Sequence, residues 1–314
     1  MRIEKAGLEA CALKDRETFK HWGGSLSLEQ YLERESKMRA HPWVAERMET
    51  WFLRNDRGDV LTSCEAIRMD SYSKKNGAEQ PGETWGIASV FTGGRHRRRG
   101  FAGELILRIR DLKMREGNNV HALILFTYVG ESVYARIGFQ ARPSAERIFE
   151  ALPDKPERGV ELITRAELAD LWPRLERTHG SFVVWPSFSQ LDRKLLRERI
   201  YADFLGEKAP EFVGARVDKS LIVWSMDYPG AILTGLFLRS ETPVEADLLI
   251  ASARKAAYEK GVNFSIWSDD DFQNWDELKA VSQDKVRDSI GMILPVDSCV
   301  QSQGWNFIPR SISV

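Results

Sequence analysis

Cysteine and histidine are scarce in this chain. Its 314 residues include three cysteines (Cys11, Cys64 and Cys299) and five histidines, with no Cys-x-x-Cys pair. Cysteines this few and this far apart exclude a disulfide framework and a cysteine-rich zinc site. The histidines are scattered as well, so we expect no bound metal.

Long apolar runs and a large excess of one charge are also missing. No stretch approaches the roughly eighteen apolar residues of a membrane-spanning helix, and Arg2, Glu4 and Lys5 stand where a signal peptide needs an apolar core. Lysine plus arginine number 45 and aspartate plus glutamate 46, which gives a formal net charge of -1. Such a balance argues against a general nucleic-acid or membrane-surface binder. We expect a cytoplasmic protein with neither kind of partner.

What the chain does contain is an alternation of short apolar strands and amphipathic helices, which indicates an α/β fold with a mixed sheet. A length of 314 residues leaves room for two domains. We place the boundary at a charged segment, 154–159, which gives an α/β domain over 1–152 and an α+β domain over 153–314. The second repeats the strand, strand, helix, strand order of the first, so it is either a degenerate copy or an unrelated α+β partner. The polar stretch 71–83 is predicted to be a surface loop.

One stretch, from Trp85 to Gly103, joins an apolar strand to a helix through a loop of glycine and arginine. Residues 93–103 read Gly-Gly-Arg-His-Arg-Arg-Arg-Gly-Phe-Ala-Gly. A loop that ends at a helix N-terminus offers free backbone N–H groups and the positive end of the helix dipole, so it suits a phosphate-bearing ligand. It has neither the lysine of a Walker motif nor the Gly-x-Gly-x-x-Gly of a dinucleotide fold. The alternative is a solvated basic turn that caps a core helix.

The spacing Arg97-x-x-Gly100-x-Ala102 resembles the pyrophosphate loop of the GCN5-related N-acetyltransferases, whose pattern is Gln/Arg-x-x-Gly-x-Gly/Ala. Further along, Tyr134-x-x-x-Gly138-Phe139 matches a second motif of that superfamily. The resemblance implies the acyl-CoA N-acyltransferase fold and acetyl-CoA as the acetyl donor. It also implies a catalytic role for Tyr134, which would protonate the departing thiolate. By itself, Tyr134 also fits an amphipathic core position.

The cofactor contacts follow from the loop and from the strand before it. The strand end can supply backbone N–H groups to the acetyl oxygen and to the pantetheine amides. The loop and the first helical turn can hold the pyrophosphate through backbone N–H groups and arginine charge. The expected cofactor-binding residues are Val90, Phe91, Thr92, Arg97, Arg98, Arg99, Gly100, Phe101, Ala102, Gly103 and Thr127.

Within the superfamily, the chain is similar to the fungal lysine N6-acetyltransferases, which acetylate the side-chain amine of free L-lysine. The likeness lies in short segments on both sides of residue 152. They are His21-Trp22-Gly23, Tyr31-Leu-x-Arg-Glu35, Ser63-Cys64-Glu65, Gly86 to Thr92, Trp185-Pro-Ser187 and Trp224 to Tyr228. Gly93 and Gly94 stand where that family usually has prolines, and Arg98 where it has glycine.

For the amine site, the sequence points first to Glu65, in a low-charge strand beside the cofactor strand. Burial would raise the pKa of this carboxyl and suit it to act as a base or as an ammonium partner. The alternative is a strand carboxylate that faces water. His21 and Trp22 are candidates for the same pocket, with ordinary packing or surface roles as the alternative. Asp227 and Tyr228, in a predicted hairpin of the second domain, are candidates to reach it across the cleft.

These patterns predict an acetyl-CoA-dependent N-acetyltransferase that acts on a small amine, either free L-lysine or a lysine-like metabolite. Transfer would occur by direct attack in a ternary complex, because Cys64 has no histidine in its motif that would activate it as a nucleophile. Three alternatives stay open. They are acetylation of another small amine of secondary metabolism, acetylation of a protein or peptide, and binding of acyl-CoA by a non-enzymatic sensor.

Overall fold

The computed structural model describes residues 1–117, 119–142, 145–153, 159–177, 180–268, 282–286, 290–300, 305 and 309–313. Two sheets form the frame of this part of the chain, one of eight strands and one of seven. None of the helices in these residues is long and apolar enough to cross a membrane. The predicted linker at 154–159 lies outside the described residues except for Gly159.

The first sheet contains most of the strands from the N-terminal half. Its strands are β1 (Arg2–Lys5), β2 (Met48–Arg54), β3 (Val60–Lys75), β4 (Ala78–Phe91), β5 (Val120–Thr127), β6 (Gln140–Arg142), β9 (Phe182–Val184) and β15 (Ile290–Pro295). Their order is β1-β2-β3-β4-β5-β15-β6, with β9 added along β3. Among these pairs, only β4 and β5 run parallel.

The second sheet has the same plan. Its strands are β7 (Ala145–Phe149), β8 (Glu161–Thr164), β10 (Phe212–Val217), β11 (Ser220–Asp227), β12 (Ile232–Arg239), β13 (Asn263–Ser268) and β14 (Ser282–Val286). Their order is β14-β7-β13-β12-β11-β10-β8, and β12 and β13 form a parallel pair that corresponds to β4 and β5. The mixed α/β architecture expected from the sequence is therefore confirmed, and the strand order of the first sheet recurs in the second.

Along their main strand order, the two sheets exchange one strand each, apart from β9, which the second half adds to β3. Strand β15, from the end of the chain, lies between β5 and β6 in the first sheet. Strand β7, from the N-terminal half, lies between β13 and β14 in the second. The halves are thus interlocked through backbone hydrogen bonds. The division of the chain at residue 152 into two domains stays a prediction.

Helices cover these sheets. They are α1 (Leu8–Trp22), α2 (Leu28–Ala40), α3 (Pro42–Arg47), α4 (Phe101–Arg115), α5 (Glu131–Ala135), α6 (Arg165–Leu171), α7 (Phe188–Leu205) and α8 (Pro243–Glu259). Helix α2 begins with a capping box, in which Ser27 and Gln30 cap each other. A serine followed three residues later by glutamine is the sequence signature of this motif. Helix α4 buries Leu105, Ile106 and Ile109 against the first sheet, at the helical spacing of its apolar residues.

The prediction of a surface loop over 71–83 is wrong. Strands β3 and β4 continue through it as one hairpin, with pairs down to Lys75 and Ala78. The turn lies at Asn76 and Gly77, which have φ values of 53° and 81°. This Asn-Gly pair favours a tight hairpin turn because both residues tolerate positive φ. Strand β9 then pairs with the far end of β3 and covers it.

Helix α7, from the C-terminal half, packs against α2 and α3 from the N-terminal half. His41 Nε2 lies 3.2 Å from Asp192 Oδ2, and Arg34 Nη1 donates a hydrogen bond of 2.7 Å to the hydroxyl of Tyr201. All four side chains are buried. Together with α1, helices α2 and α7 line a cleft over the ends of β4 and β5.

Candidate active site

The parallel strands β4 and β5 separate where the first sheet reaches this cleft. Their last described pair joins Ile87 to Leu125, although both strands continue beyond it. A bulge in the pairing of β3 with β4, where Ser89 has a φ of 49°, redirects the end of β4. Residues 88–90 and 126–129 both line a cavity of about 560 Å³. Because the two strand ends do not pair with each other, their backbone groups can bind a ligand that lies between them.

The glycine–arginine loop follows β4 directly. It contains two left-handed residues, Arg98 with a φ of 63° and Gly100 with a φ of 79°. Gly100 precedes α4 and provides no side-chain cap, so the first N–H groups of that helix lack a helical partner. Nε of Arg97 donates a hydrogen bond of 3.1 Å to the carbonyl oxygen of Thr92 and ties the loop to β4, while Arg98 and Arg99 are exposed. These features fit the predicted anion-binding role.

The other predicted cofactor residues lie along the same edge. Val90 and Thr127 line the cavity from β4 and β5. Residues 101–103 form the first turn of α4. A Cβ on Gly103 would lie 2.9 Å from Cγ2 of Ile137, so glycine lets this turn pack closely against the segment after α5.

Tyr134 lies on α5 and lines the same cavity, and its side chain is buried. Gly138, with a φ of 97°, turns the chain after α5, so the ring of Phe139 packs 6.1 Å from the ring of Tyr134. The Tyr-x-x-x-Gly-Phe pattern thus fixes the tyrosine in place. Burial raises the pKa of Tyr134, as does the nearby Cys64. The phenol is therefore protonated at neutral pH and able to donate a proton.

The expectation that burial raises the pKa of Glu65 is wrong. The carboxyl is buried, but Nζ of Lys14 donates to its Oε1 at 2.5 Å and the hydroxyl of Ser89 donates to its Oε2 at 2.7 Å. Burial alone would raise the pKa of Glu65, yet the ion pair with Lys14 and these hydrogen bonds outweigh it and lower the pKa to about 2. Glu65 is therefore ionised and paired, and its strong acidity makes it a poor proton acceptor.

The last two residues of α1 contact the end of β4. The rings of His21 and Trp22 lie 5.4 Å and 6.0 Å from the ring of Phe91, and both side chains are exposed. Trp22 lines the cavity that also contains Tyr134, whereas His21 lines a separate cavity beside the arginine loop. The structure thus brings Trp22, but not His21, to the cavity predicted for the amine.

Asp227 and Tyr228, the two candidates from the second half, lie at the turn between β11 and β12. They line a smaller cavity of about 290 Å³. This cavity adjoins the larger one, because both are lined by Phe126 and Tyr128 of the first half and by Arg193 of α7. The cleft therefore runs from the opening between β4 and β5 to the hairpin of the second sheet.

Sequence reasoning missed Lys14 and the basic side chains of α7. Lys14 pairs with Glu65 from 51 positions away in the chain, and no local pattern marks such a pair. In α7, Arg193 and Arg197 are four residues apart, a spacing that places them on one helix face. That spacing was visible in the sequence, but a charged helix face usually points to solvent, and only the packing of α7 over the cleft shows otherwise.

A search among curated proteins finds a relative with a related sequence. The chain is 30% identical over 98 residues to a lysine acetyltransferase of Yarrowia lipolytica, a match that covers 30% of this chain and 25% of that protein. No protein-family profile matches the chain. The match thus involves less than a third of either protein.

Solved structures resemble the chain over most of its length. A GCN5-related N-acetyltransferase from Kribbella flavida superposes with a TM-score of 0.57 at 15% identity, covering 93% of this chain and 70% of that one. A tandem GNAT protein from the clavulanic acid biosynthesis pathway superposes with a TM-score of 0.50 at 11% identity, covering 94% and 99%. The chain has the fold of the GCN5-related N-acetyltransferases, and the fold implied by the sequence motifs is confirmed.

Proposed function

We propose that this protein is an acetyl-CoA-dependent N-acetyltransferase that acts on the amine of a small molecule. The main support is the opening between β4 and β5 beyond Ile87 and Leu125. Tyr134 lines the cavity at this opening, and β4, which forms one side of it, leads through the glycine–arginine loop to the uncapped N-terminus of α4. A ligand that follows the end of β4 would therefore have a proton donor at one end and an anion-binding loop at the other. The protein-fold comparison and the sequence match to a lysine acetyltransferase are consistent with this activity.

The residues around the opening fit acetyl-CoA. A Cβ on Gly100 would meet nothing within 4 Å, so the backbone there is open to a pyrophosphate. The N–H groups of the first turn of α4 would bind the phosphate oxygens, and the exposed Arg98 and Arg99 would add positive charge. Backbone groups of Val90 to Thr92 would bind the pantetheine arm. When bound, acetyl-CoA supplies the acetyl thioester.

The side chains of the cavity favour direct transfer to the amine. Cys64 is fully buried, and burial raises the pKa of its thiol to about 12, so it does not form a nucleophilic thiolate at neutral pH. In direct transfer the amine nitrogen forms the new bond to the acetyl carbon, and the bond from that carbon to sulfur breaks. Tyr134 would donate its proton to the thiolate that leaves, and the proton that the attacking nitrogen loses would pass through water of the cleft and restore the phenol. Because Glu65 is ionised and already paired, we infer that it holds Lys14 and the bulge at Ser89 in place. It would not accept the amine proton.

For the acceptor, we propose free L-lysine or a lysine-like metabolite, acetylated on its side-chain amine. The support is the match to the Yarrowia protein together with a cavity of about 560 Å³, a volume typical of small-molecule sites. Acetylation of another small amine is the second candidate, because the cavity walls are mixed in charge and admit more than one acceptor.

The test is an amine panel. We expect thiol release from acetyl-CoA with L-lysine, and slower release with L-ornithine, with cadaverine and with a peptide that contains lysine. Mass spectrometry of the product would show a single acetyl group on the side-chain nitrogen. Faster turnover of the peptide than of every free amine would contradict the small-molecule assignment, and release with none of the amines would contradict the enzymatic one.

A further inference from the structure

Three basic residues of α7 face the cleft between the two halves. Arg193, Lys194 and Arg197 all line the smaller cavity, and Arg193 and Arg197 also line the larger one. Residues four apart lie on the same helix face, so α7 presents a row of positive charge to both cavities. None of the motifs that suggest an acetyltransferase includes these residues.

The acidic side chains of the cleft already have partners. Around the larger cavity, the carboxylates pair with other basic residues: Glu65 with Lys14, Glu35 with Arg34, and Asp15 with Arg39. In the smaller cavity, Oε1 of Glu198 accepts the backbone N–H of Met226 at 2.7 Å, and Asp227 lies 3.9 Å from Arg310. The cleft therefore contains more positive than negative charge beside α7.

Arg193 carries a buried donor at this cleft. Its Nε is fully buried and has no hydrogen-bond partner among the described residues. A buried donor without a partner is costly, and such groups in native proteins commonly await a ligand or an ion. Burial lowers the pKa of Arg193, and burial together with the charges of Arg193 and Arg197 lowers the pKa of Lys194 well below its usual range. Both shifts are those of cations that lack a counter-charge.

We propose that Arg193, with the guanidinium of Arg197 one helical turn away, binds a carboxylate of the acceptor, so that the second half of the chain selects amines that carry an acid group. This inference rests on the proposed acetyltransferase function. A guanidinium is suited to the role because its planar N–H groups bind both oxygens of a carboxylate. A carboxylate held at α7 would leave the rest of the acceptor free to extend through the shared cavity toward Tyr134.

The kinetic test compares acceptors that differ only in the acid group. L-lysine has a carboxylate, L-lysinamide replaces it with a neutral amide, and cadaverine lacks it. In the Arg193→Gln variant, we expect the KM for L-lysine to rise about 10- to 100-fold, the loss typical of one hydrogen bond to a charged group. The kcat for L-lysine, and both constants for lysinamide and cadaverine, would stay within about 3-fold of the wild type. Arg193→Lys keeps the positive charge but lacks the planar pair of N–H donors that binds both carboxylate oxygens, so it would recover only part of the affinity.

Arg199→Gln is the matched control. Arg199 lies on the same helix, 3.7 Å from Asp192, and lines neither cavity, so its loss would leave all three acceptors unchanged. The Kd for acetyl-CoA, measured by calorimetry, would be the same in every variant. An equal loss with all three acceptors, or weaker acetyl-CoA binding in Arg193→Gln alone, would overturn the proposal.

A direct measurement of acceptor binding distinguishes a failure of this proposal from a failure of the proposed function. Calorimetry in the presence of coenzyme A would show that wild-type protein binds L-lysine at least about 10-fold more tightly than lysinamide, and that Arg193→Gln removes the difference. This measurement needs no turnover. If no amine were acetylated but the lysine preference and its loss were seen, the function would be wrong and the carboxylate site right. If L-lysine and lysinamide bound equally to the wild type, the carboxylate site would be wrong even with active enzyme.

Discussion

The two sheets of this protein have the same strand plan, yet the helix that joins the parallel pair begins at an uncapped glycine in the first sheet and at a capping threonine in the second. Both have a parallel pair with a bulge in the strand beside it, between Ser63 and Glu65 in β3–β4 and between Val223 and Trp224 in β11–β12. Both take in a strand from the other half of the chain. The difference lies in the segment that connects the two strands of each parallel pair, at the start of α4 in the first sheet and of α8 in the second.

The N-terminus of α8 is already satisfied, whereas that of α4 is open. The hydroxyl of Thr242 accepts the N–H of Glu245 at 3.2 Å, and Pro243 has no N–H to offer. The carboxylate of Glu245 adds a negative charge to the same turn. A pyrophosphate would lose hydrogen bonds and meet like charge there. Under the proposed function, a few residues at the start of α8 would thus keep a pyrophosphate away from the second sheet. Residues of β11 and α7 line the cleft instead.

The largest expected effect concerns the ion pair beneath the open edge of the first sheet. Glu65→Gln would leave Lys14 buried without its counter-charge and lower the free energy of unfolding by about 3–5 kcal/mol. Urea denaturation at pH 7 measures this loss. In the wild type, the stability due to Glu65 would be present above pH 4.5, the ordinary pKa of the carboxyl, and would fall as the pH approaches 2.

The matched control is an exposed pair that bridges the two halves. Nη2 of Arg177 lies 2.6 Å from Oε1 of Glu79, and both side chains are well exposed. Glu79→Gln would change the free energy of unfolding by less than about 1 kcal/mol, since exposed ion pairs contribute little. Equal losses in the two variants would show that burial of the Lys14–Glu65 pair is unimportant.

The next effect is on catalysis at the opening between β4 and β5. Tyr134→Phe would lower kcat for acetyl transfer about 100-fold, the usual contribution of a general acid, because the phenyl ring keeps the packing on Phe139 but has no proton to give. The KM values for acetyl-CoA and for the amine would change little. Tyr228→Phe, in the second half, serves as the comparison and would retain most of the wild-type kcat. Full activity of Tyr134→Phe at every pH would mean that another group protonates the thiolate.

A smaller effect is expected from a buried carboxyl in the second half. Burial, opposed by the N–H of Met226, raises the pKa of Glu198 from 4.5 to about 7. The unfolded chain therefore loses this proton at lower pH than the folded one, so stability falls as the pH rises from 4.5 to about 7 and then levels off. Glu198→Gln keeps an oxygen for the Met226 N–H and removes the charge. It would be more stable than wild type at pH 8 by about 3 kcal/mol and equal to it at pH 4. Urea denaturation with an unchanged pH slope would contradict this.

The smallest effect compares two glycines that have the same backbone conformation in different halves. Gly100→Ala would raise the Kd for acetyl-CoA about 10-fold, because alanine strains the left-handed φ of 79° in the loop. Gly261, after α8, has a φ of 67°, and Gly261→Ala would cost similar stability without changing acetyl-CoA binding. Calorimetry measures the Kd and thermal denaturation the stability. A similar Kd in both variants would show that the loop conformation does not matter for the ligand.

Much of the fold could be predicted from the sequence because it depends on local patterns. Apolar periodicity and end signals place α8 at Pro243–Glu259, and the capping box places the start of α2. The hairpin over 71–83 was missed because its strands are polar, so their composition hid the Asn76–Gly77 turn. The strand exchange could not be predicted, because β7 and β15 pair with strands far away in the chain. No local pattern in a strand specifies a distant partner.

The candidate site, like the fold, has one part that local sequence patterns predict and another part that depends on contacts between distant segments. The loop and Tyr134 belong to short motifs that can be recognised in the linear sequence, and the structure places the loop directly after β4 and Tyr134 in the cavity at the end of that strand. The charge state of Glu65 depends on Lys14, which arrives from α1, and so the sequence led to the wrong pKa. The role of α7 depends on which of its faces is buried, and only the packing of the two halves decides that.

A crystal structure with bound coenzyme A would test the contrast between the two halves most directly. We predict one molecule per chain, with its pantetheine arm between β4 and β5 and its pyrophosphate on the N–H groups of residues 100–103. Density for the pyrophosphate at the start of α8, or for two molecules in one chain, would contradict the assignment of the acetyl-CoA site to the first sheet alone.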